Sequence, residues 1–191
     1  MSDGTVSESA HAVPTGSAAP AAPAAPADHA APSARRATLD DLDAVWALEA
    51  SVFGAEAWSL SMMREELVGD HRDYFVLAGS NGDVLGYGGL LAVGTDADIQ
   101  TIAVHPSLRG MGQGRRLMTL LLDSAEARGV REVFLEVRAD NAVAHRLYTT
   151  LGFAEIGVRP RYYQPEGVDA IVMRLEVRAR NSAATALEDQ A

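Results

Sequence analysis

The sequence predicts a mixed α/β domain, and three observations carry that expectation. Apolar residues recur at helical spacing in some segments and in strand-like runs in others. The two kinds interleave in the order α-α-β-β-β-α-β-α-β-β. Midway, a strand passes through a glycine-rich loop into a helix and then into another strand, a unit for which the crossover rule predicts parallel pairing.

Residues 1–34, dominated by Ala, Pro, Ser and Gly as in PTGSAAPAAPAAPADHAAPSA, offer too little apolar area to offset ordering. They are expected to form a disordered arm, with the folded domain over 35–177. Thr38 is placed to cap a helix carrying Leu42, Val45, Trp46, Leu48 and Glu49. Ser59 or Ser61 caps a second around MMREEL. YFVLAG and VLGYGGLLAV flank Asn81-Gly82, a hairpin signal. ADIQTIAV is a third strand, stopped by His105-Pro106. Leu117, Leu120, Leu121 and Ala125 then form one helical face, with Gly129 suited to the residue after its end. REVFLEVR reads as a near-continuous buried strand, and NAVAHRLYTTLGF as a short helix between Asn141 and Gly152. RYYQ, a turn at Pro165–Gly167, and DAIVMRLEV form a closing hairpin. Residues 178–191 carry no stripe and are expected to be a polar, flexible tail.

The chain of 191 residues has no cysteine, which removes disulfides, thiolate metal sites and cysteinyl intermediates. Its histidines lack metal-ligand spacing, so no metal is expected. A net charge of −10 disfavours a nucleic-acid partner and suits a basic acceptor. No apolar run approaches the roughly 18 residues of a membrane span, and the N-terminus lacks a secretory pattern. A cytoplasmic protein without a membrane partner is expected; oligomeric state is not legible.

SLRGMGQGRRLM (107–118) sets Gly110, Gly112 and Gly114 where a helix is about to begin. Glycine inside a helix costs about 1 kcal/mol relative to alanine, so these positions need a reason. Strand, glycine loop and helix together form an anion site, with main-chain N–H groups and the helix dipole facing a phosphate. A Walker loop would require Gly-Lys-Ser/Thr, and a dinucleotide fingerprint G-x-G-x-x-G; neither is present. Arg109-Gly110-Met111-Gly112-Gln113-Gly114 instead resembles the arginine-x-x-Gly-x-Gly loop of the GCN5-related N-acetyltransferase (GNAT) superfamily.

LEVR, N-A-x-A…LY…LGF, R-x-R-Y-Y and D-A-x-x-M narrow this resemblance, over about residues 36–176, to members that acetylate the N-terminal alanine of a bacterial ribosomal protein. It implies a mostly antiparallel central sheet with helices on both faces, and acetyl-CoA as cosubstrate. Glu136 would be the general base and Tyr148 the general acid. Ile102, Ala103, Val104, the loop from Arg109 to Arg115 and Asn141 would line the cofactor, and Arg161, Tyr162 and Tyr163 would lie near the peptide. Read alone, Glu136 is a charge on an open sheet face, Tyr148 a core tyrosine and Asn141 a helix cap.

The chemistry is consistent with that acceptor. Deprotonating an α-amine of pKa about 7.8 at pH 7 costs roughly 1 kcal/mol, against roughly 4–5 kcal/mol for a lysine. One glutamate, directly or through water, suffices for the first. Without cysteine, direct attack in a ternary complex is expected. A small-amine or lysine acetyltransferase and a non-catalytic acyl-CoA-binding module remain open as alternatives at this point.

Overall fold

The computed structural model describes residues 31–177. Most of the expected arm and the whole of the expected tail lie outside the described residues. The chain runs through β1 (Ser33–Arg36), α1 (Leu42–Phe53), α2 (Leu60–Val68), β2 (Arg72–Ala78), β3 (Val84–Val93), β4 (Asp96–Val104), α3 (Gln113–Ala127), β5 (Glu132–Arg138), α4 (Ala142–Thr150), β6 (Ala154–Tyr163) and β7 (Val168–Glu176). One seven-stranded sheet results, in the order β1-β2-β3-β4-β5-β7-β6. All neighbours are antiparallel except β4 and β5, which are parallel and joined through α3 as the crossover rule requires.

Two cores sandwich this sheet. One joins Leu117, Met118, Leu121, Leu122 and Ala125 of α3 with Ala144 and Tyr148 of α4 and the sheet face bearing Leu77, Ile102 and Val133. The other packs Leu42, Val45 and Leu48 of α1 and Met63 of α2 against Tyr74, Val76 and Tyr87. Strand alternation sorts β2 between them: Tyr74 and Val76 face α1 and α2, Leu77 the other way. Gly88 lets α3 settle close to β3, since a Cβ there would stand 3.1 Å from Leu121; on the other face, a Cβ at Gly89 would overlap the Tyr74 ring at 2.2 Å.

The structure departs from sequence expectation in three places. β1 starts at Ser33, inside the segment assigned to the arm, and pairs with β2 from Ser33↔Ala78 to Arg36↔Phe75. Its SARR sequence is polar because it is a largely exposed edge strand, so no periodicity announces it. β5 is not buried throughout: Val133, Leu135 and Val137 are buried, while Phe134 and Glu136 on the opposite face are half-buried. β6 begins at Ala154, well before RYYQ; as the other edge strand it is exposed over most of its length and gives no apolar alternation.

A buried carboxylate ties the far end of the sheet together. The Asp73 side chain is fully buried and accepts from Arg36 Nη1 (2.5 Å), Ser124 Oγ (2.5 Å) and Arg128 Nε (2.6 Å), joining β1, β2 and α3. Burial alone would raise its pKa, but the hydrogen bonds from Arg128, Ser124 and Arg36 outweigh it and hold the carboxyl well below the usual range. A depressed carboxylate stabilises the fold fully above its unfolded pKa near 4, and less as pH falls through its folded value. Asp73→Asn is therefore expected to lower unfolding free energy by about 3 kcal/mol at pH 7. In urea titrations the gap between wild type and variant should narrow below about pH 4.

Candidate active site

The site begins where two strands part. β4 and β5 pair only from Asp96↔Glu132 to Asp98↔Phe134. Beyond that, β4 continues its ladder with β3 to Val104, and β5 its ladder with β7 to Arg138. A register shift in the β3–β4 ladder between Gly89 and Leu90 leaves Gln100 without a cross-strand partner just where the parting starts. His105 donates its amide to Leu85 of β3, and by strand alternation Ala103 also faces β3, so the main-chain groups of Ile102 and Val104 point toward β5, where no strand pairs with them.

The glycine loop stands at the open end of this gap. His105 starts a one-turn 3-10 helix over Pro106–Leu108, and its ring nitrogen accepts from the Ser107 amide at 3.3 Å. Gly110 and Gly112 then adopt φ of +76° and +74°, left-handed conformations costly for other residues. α2 and α4 are capped by the side chains of Ser59 and Asn141, whereas α3 starts on Gly112, which has none to offer. The first-turn amides of α3 consequently lack a cap. A Cβ at Gly110 or Gly112 would meet nothing within 4 Å, so open space lies beside them. Arg109 is exposed, and among the described residues it has no ion-pair partner. Arg115 donates through Nη2 to Thr150 Oγ1 at 2.5 Å, linking the start of α3 to the end of α4. A cavity of about 320 Å³ lies between these helices, lined by Arg115, Ala142, Val143, Arg146, Leu147 and Thr150.

Buried polar atoms also await partners here. Asn141 is 1% exposed; its Oδ1 caps α4 by accepting from the Ala144 amide at 3.1 Å, while Nδ2 has no partner. Gln113 Oε1, at the start of α3, is likewise buried without a donor. Tyr148 lies two helical turns beyond Asn141, buried with its ring 6.0 Å from that of Phe153. Among the described residues its hydroxyl makes no hydrogen bond, and burial pushes its pKa well above the ordinary tyrosine value. Uncapped amides, a buried amide donor, an unpaired buried acceptor and a protonated phenol suit an elongated ligand with a phosphate at one end and amides along its length.

Glu136 forms the other wall. It projects from the half-buried face of β5 and pairs with Arg159 of β6, Nη1 to Oε1 3.0 Å, its own side chain 10% exposed. The register of β6 on β7 shifts between Arg159 and Tyr163, so the intervening residues bulge out. Arg161 there is exposed at φ +53°, its amide donating to Asp169 Oδ1 at 2.7 Å. Tyr162 is half-buried beneath Arg159, whose guanidinium carbon lies 5.6 Å from the ring centroid. Tyr163 is buried, edge-on to Tyr162 and covered by Arg138 at 5.2 Å. Arg161 and Tyr162 are thus the members of this trio that offer surface.

Arg138, two residues beyond Glu136, binds Asp140 at 3.1 Å, Glu56 at 3.5 Å and Glu166 at 3.9 Å. It brings together the segment between α1 and α2, the start of α4 and the β6–β7 turn. Burial, more than any charge, raises the Glu56 pKa, and Arg138 opposes it. Among the described residues no group of three or more His, Asp or Glu is placed to hold a metal ion, and no helix is long and apolar enough to cross a membrane.

Residues 40–153 match the family described as Acetyltransferase (GNAT) family. The chain belongs to the GNAT family. Among its GNAT relatives, the N-alpha-acetyltransferase RimI of Mycobacterium tuberculosis is 42% identical over 132 residues, covering 66% of this chain and 81% of that one. An uncharacterized protein of Mycobacterium leprae is 40% identical over 143 residues, and this chain spans 39% of its length. The crystal structure of the ribosomal-protein-S18-alanine N-acetyltransferase from Escherichia coli superposes with a TM-score of 0.69 at 35% identity, covering 76% of this chain and 93% of that one.

Of the residues expected to line the cofactor, Ile102–Val104 lie where β4 leaves β5, Arg109–Arg115 span the glycine loop and the start of α3, and Asn141 caps α4, which meets α3 through Arg115 and Thr150. Sequence reasoning missed Arg159, although it opens the R-x-R-Y-Y stretch, because an arginine on an exposed edge strand reads as solvated. It missed the parting of β4 and β5 because pairing between distant strands leaves no local signal. The cradle makes a direct prediction. Gly112→Val places a branched side chain in the open space at a left-handed position. It is expected to weaken CoA binding by at least about tenfold in calorimetry. Unchanged affinity would show that the loop does not hold the ligand.

Proposed function

We propose that the protein is an acetyl-CoA-dependent N-α-acetyltransferase acting on the N-terminal amine, alanine by preference, of a basic ribosomal protein. The observation that carries this reading is the parted β4–β5 edge, with an uncapped anion loop at one end and Glu136 on the facing strand. The names of the relatives support the alanine acceptor, and the charge of −10 supports a basic one.

The main-chain amides of Gly110 and of Gly112 to Arg115, with the Arg109 guanidinium, hold the coenzyme diphosphate, while the Met111 amide is engaged by the Leu108 carbonyl; the coenzyme supplies an activated thioester. Asn141 Nδ2 and Gln113 Oε1 meet its amide groups. A free N–H on β4, that of Ile102 or Val104, donates to the thioester oxygen, where negative charge grows during attack. Glu136 takes a proton from the α-ammonium, directly or through a water, and Arg159 keeps the carboxylate aimed. The neutral amine forms the new C–N bond, the nitrogen then releases its second proton to water, the C–S bond breaks, and Tyr148 gives its proton to the departing sulfur. Solvent restores the Tyr148 proton and removes the one on Glu136. Arg161 and Tyr162 flank the entering peptide. With no cysteine in the chain, attack is direct within a ternary complex.

Incubation with acetyl-CoA and a basic peptide beginning with alanine should release free thiol, and fragmentation should place the acetyl group on the N-terminal amine. Faster reaction of an α-blocked peptide through its lysine would overturn the assignment in favour of a lysine acetyltransferase. Glu136→Gln is expected to lower kcat by about 10²-fold or more while leaving CoA affinity unchanged. Unaltered turnover in both Glu136→Gln and Tyr148→Phe would reject the roles given to those residues, and no turnover by the wild type, with CoA still bound, would leave only a binding module.

The buried Tyr148 also fixes a pH dependence. Its raised pKa keeps the phenol protonated through about pH 10. The kcat profile should therefore show no alkaline fall attributable to it below that pH. A fall centred near pH 9 that vanished in Tyr148→Phe would contradict the assignment.

A further inference from the structure

The segment between α1 and α2 is irregular, yet both main-chain groups of Trp58 within it are held by side chains of one helix. Glu49 Oε1 accepts from the Trp58 amide at 3.0 Å, and Trp46 Nε1 donates to the Trp58 carbonyl at 3.0 Å. Trp46 and Glu49 lie three residues apart on α1, so they share a face. Glu49 is fully buried, and its second oxygen accepts from the Tyr87 hydroxyl of β3. That hydroxyl also lies 3.2 Å from Thr101 Oγ1 of β4. Thr101 directly precedes Ile102 and sits at the register shift where β4 begins to leave β5.

A carboxylate is a costly side chain to bury merely to fill a core. Here it links the Tyr87 hydroxyl of β3, which lies beside Thr101 of β4, to the segment between α1 and α2. Two residues before Trp58, Glu56 reaches Arg138, which follows Glu136 by two positions on β5. The anchored loop is thereby indexed to both strands that bound the gap.

We propose that Trp46 and Glu49 are positioning residues for the acceptor: by clamping the Trp58 peptide they set the Ala57–Ser59 segment, and with it Glu56, as one wall of the channel through which the amine reaches Glu136. This rests on the acetyltransferase reading above. The hydrogen bonds that the two residues have in common go to the Trp58 peptide, so their loss should be felt first in acceptor binding.

The test separates KM for the acceptor peptide from KM for acetyl-CoA, alongside thermal midpoints and amide hydrogen exchange over residues 54–59. Trp46→Phe removes one hydrogen bond at a position 37% exposed and is expected to fold. It should raise acceptor KM about three- to tenfold, with acetyl-CoA KM unchanged. Glu49→Ala should raise it further. Glu49→Gln, whose Oε1 can accept from Trp58 and whose Nε2 can donate to Tyr87, should restore most of the loss. Exchange at 54–59 should quicken in Trp46→Phe and Glu49→Ala.

Acceptor KM unmoved in folded Trp46→Phe would overturn the proposal, as would equal shifts in both KM values. If Glu49→Ala does not fold, Trp46→Phe and Glu49→Gln decide. Absence of turnover by the wild type rejects the acetyltransferase reading instead; unchanged exchange at 54–59 would then reject the clamp separately.

Discussion

Everything in this site follows from a sheet that stops pairing partway along. Adjacent strands normally exhaust each other's main-chain groups, and an unpaired interior edge is costly. β4 and β5 instead join over Asp96–Asp98 and Glu132–Phe134 and then separate, each keeping its outer neighbour. The outer ladders hold the two strands rigid, so the gap persists and does not collapse. A polar edge kept open by a folded scaffold is a preorganised binding surface, needing no rearrangement when charge develops beside it.

The helices complete what the strands leave open. α3 follows β4 immediately, so its amino end stands at the mouth of the gap, and the glycines at 110 and 112 turn the chain there without occupying space. Its buried face of Leu117, Met118, Leu121 and Leu122 anchors that end to the sheet. α4 follows β5 in the same way and carries Asn141 and Tyr148 along the other side. On the far face, α1 reaches through its buried Glu49 to the sheet and to the connection leading into α2. The fold thus places α3 and α4 on one face of the sheet and α1 and α2 on the other.

Much of this was legible beforehand, for reasons particular residues make plain. Helices with a single apolar face, the Asn81-Gly82 hairpin and the R-G-M-G-Q-G loop are encoded locally and appear where the sequence puts them. Edge strands β1 and β6 are not, because an exposed strand gains nothing from alternation. The ion pair of Glu136 with Arg159 joins residues whose proximity depends on β7 lying between β5 and β6, a long-range fact. In the sequence, Glu49 and Tyr87 are ordinary members of a helix and a strand. Their shared buried hydrogen bond exists only once α1 packs on β3.

The unpaired edge of β4 and the uncapped start of α3 together form the proposed site for coenzyme A. Titrating isotope-labelled protein with CoA while following backbone amide resonances tests this most directly. The account requires the largest shifts at Ile102–Val104 and Gly110–Arg115, with the Asn141 side-chain amide moving alongside them. Saturable binding that leaves those amides still, and perturbs another part of the surface, would contradict it.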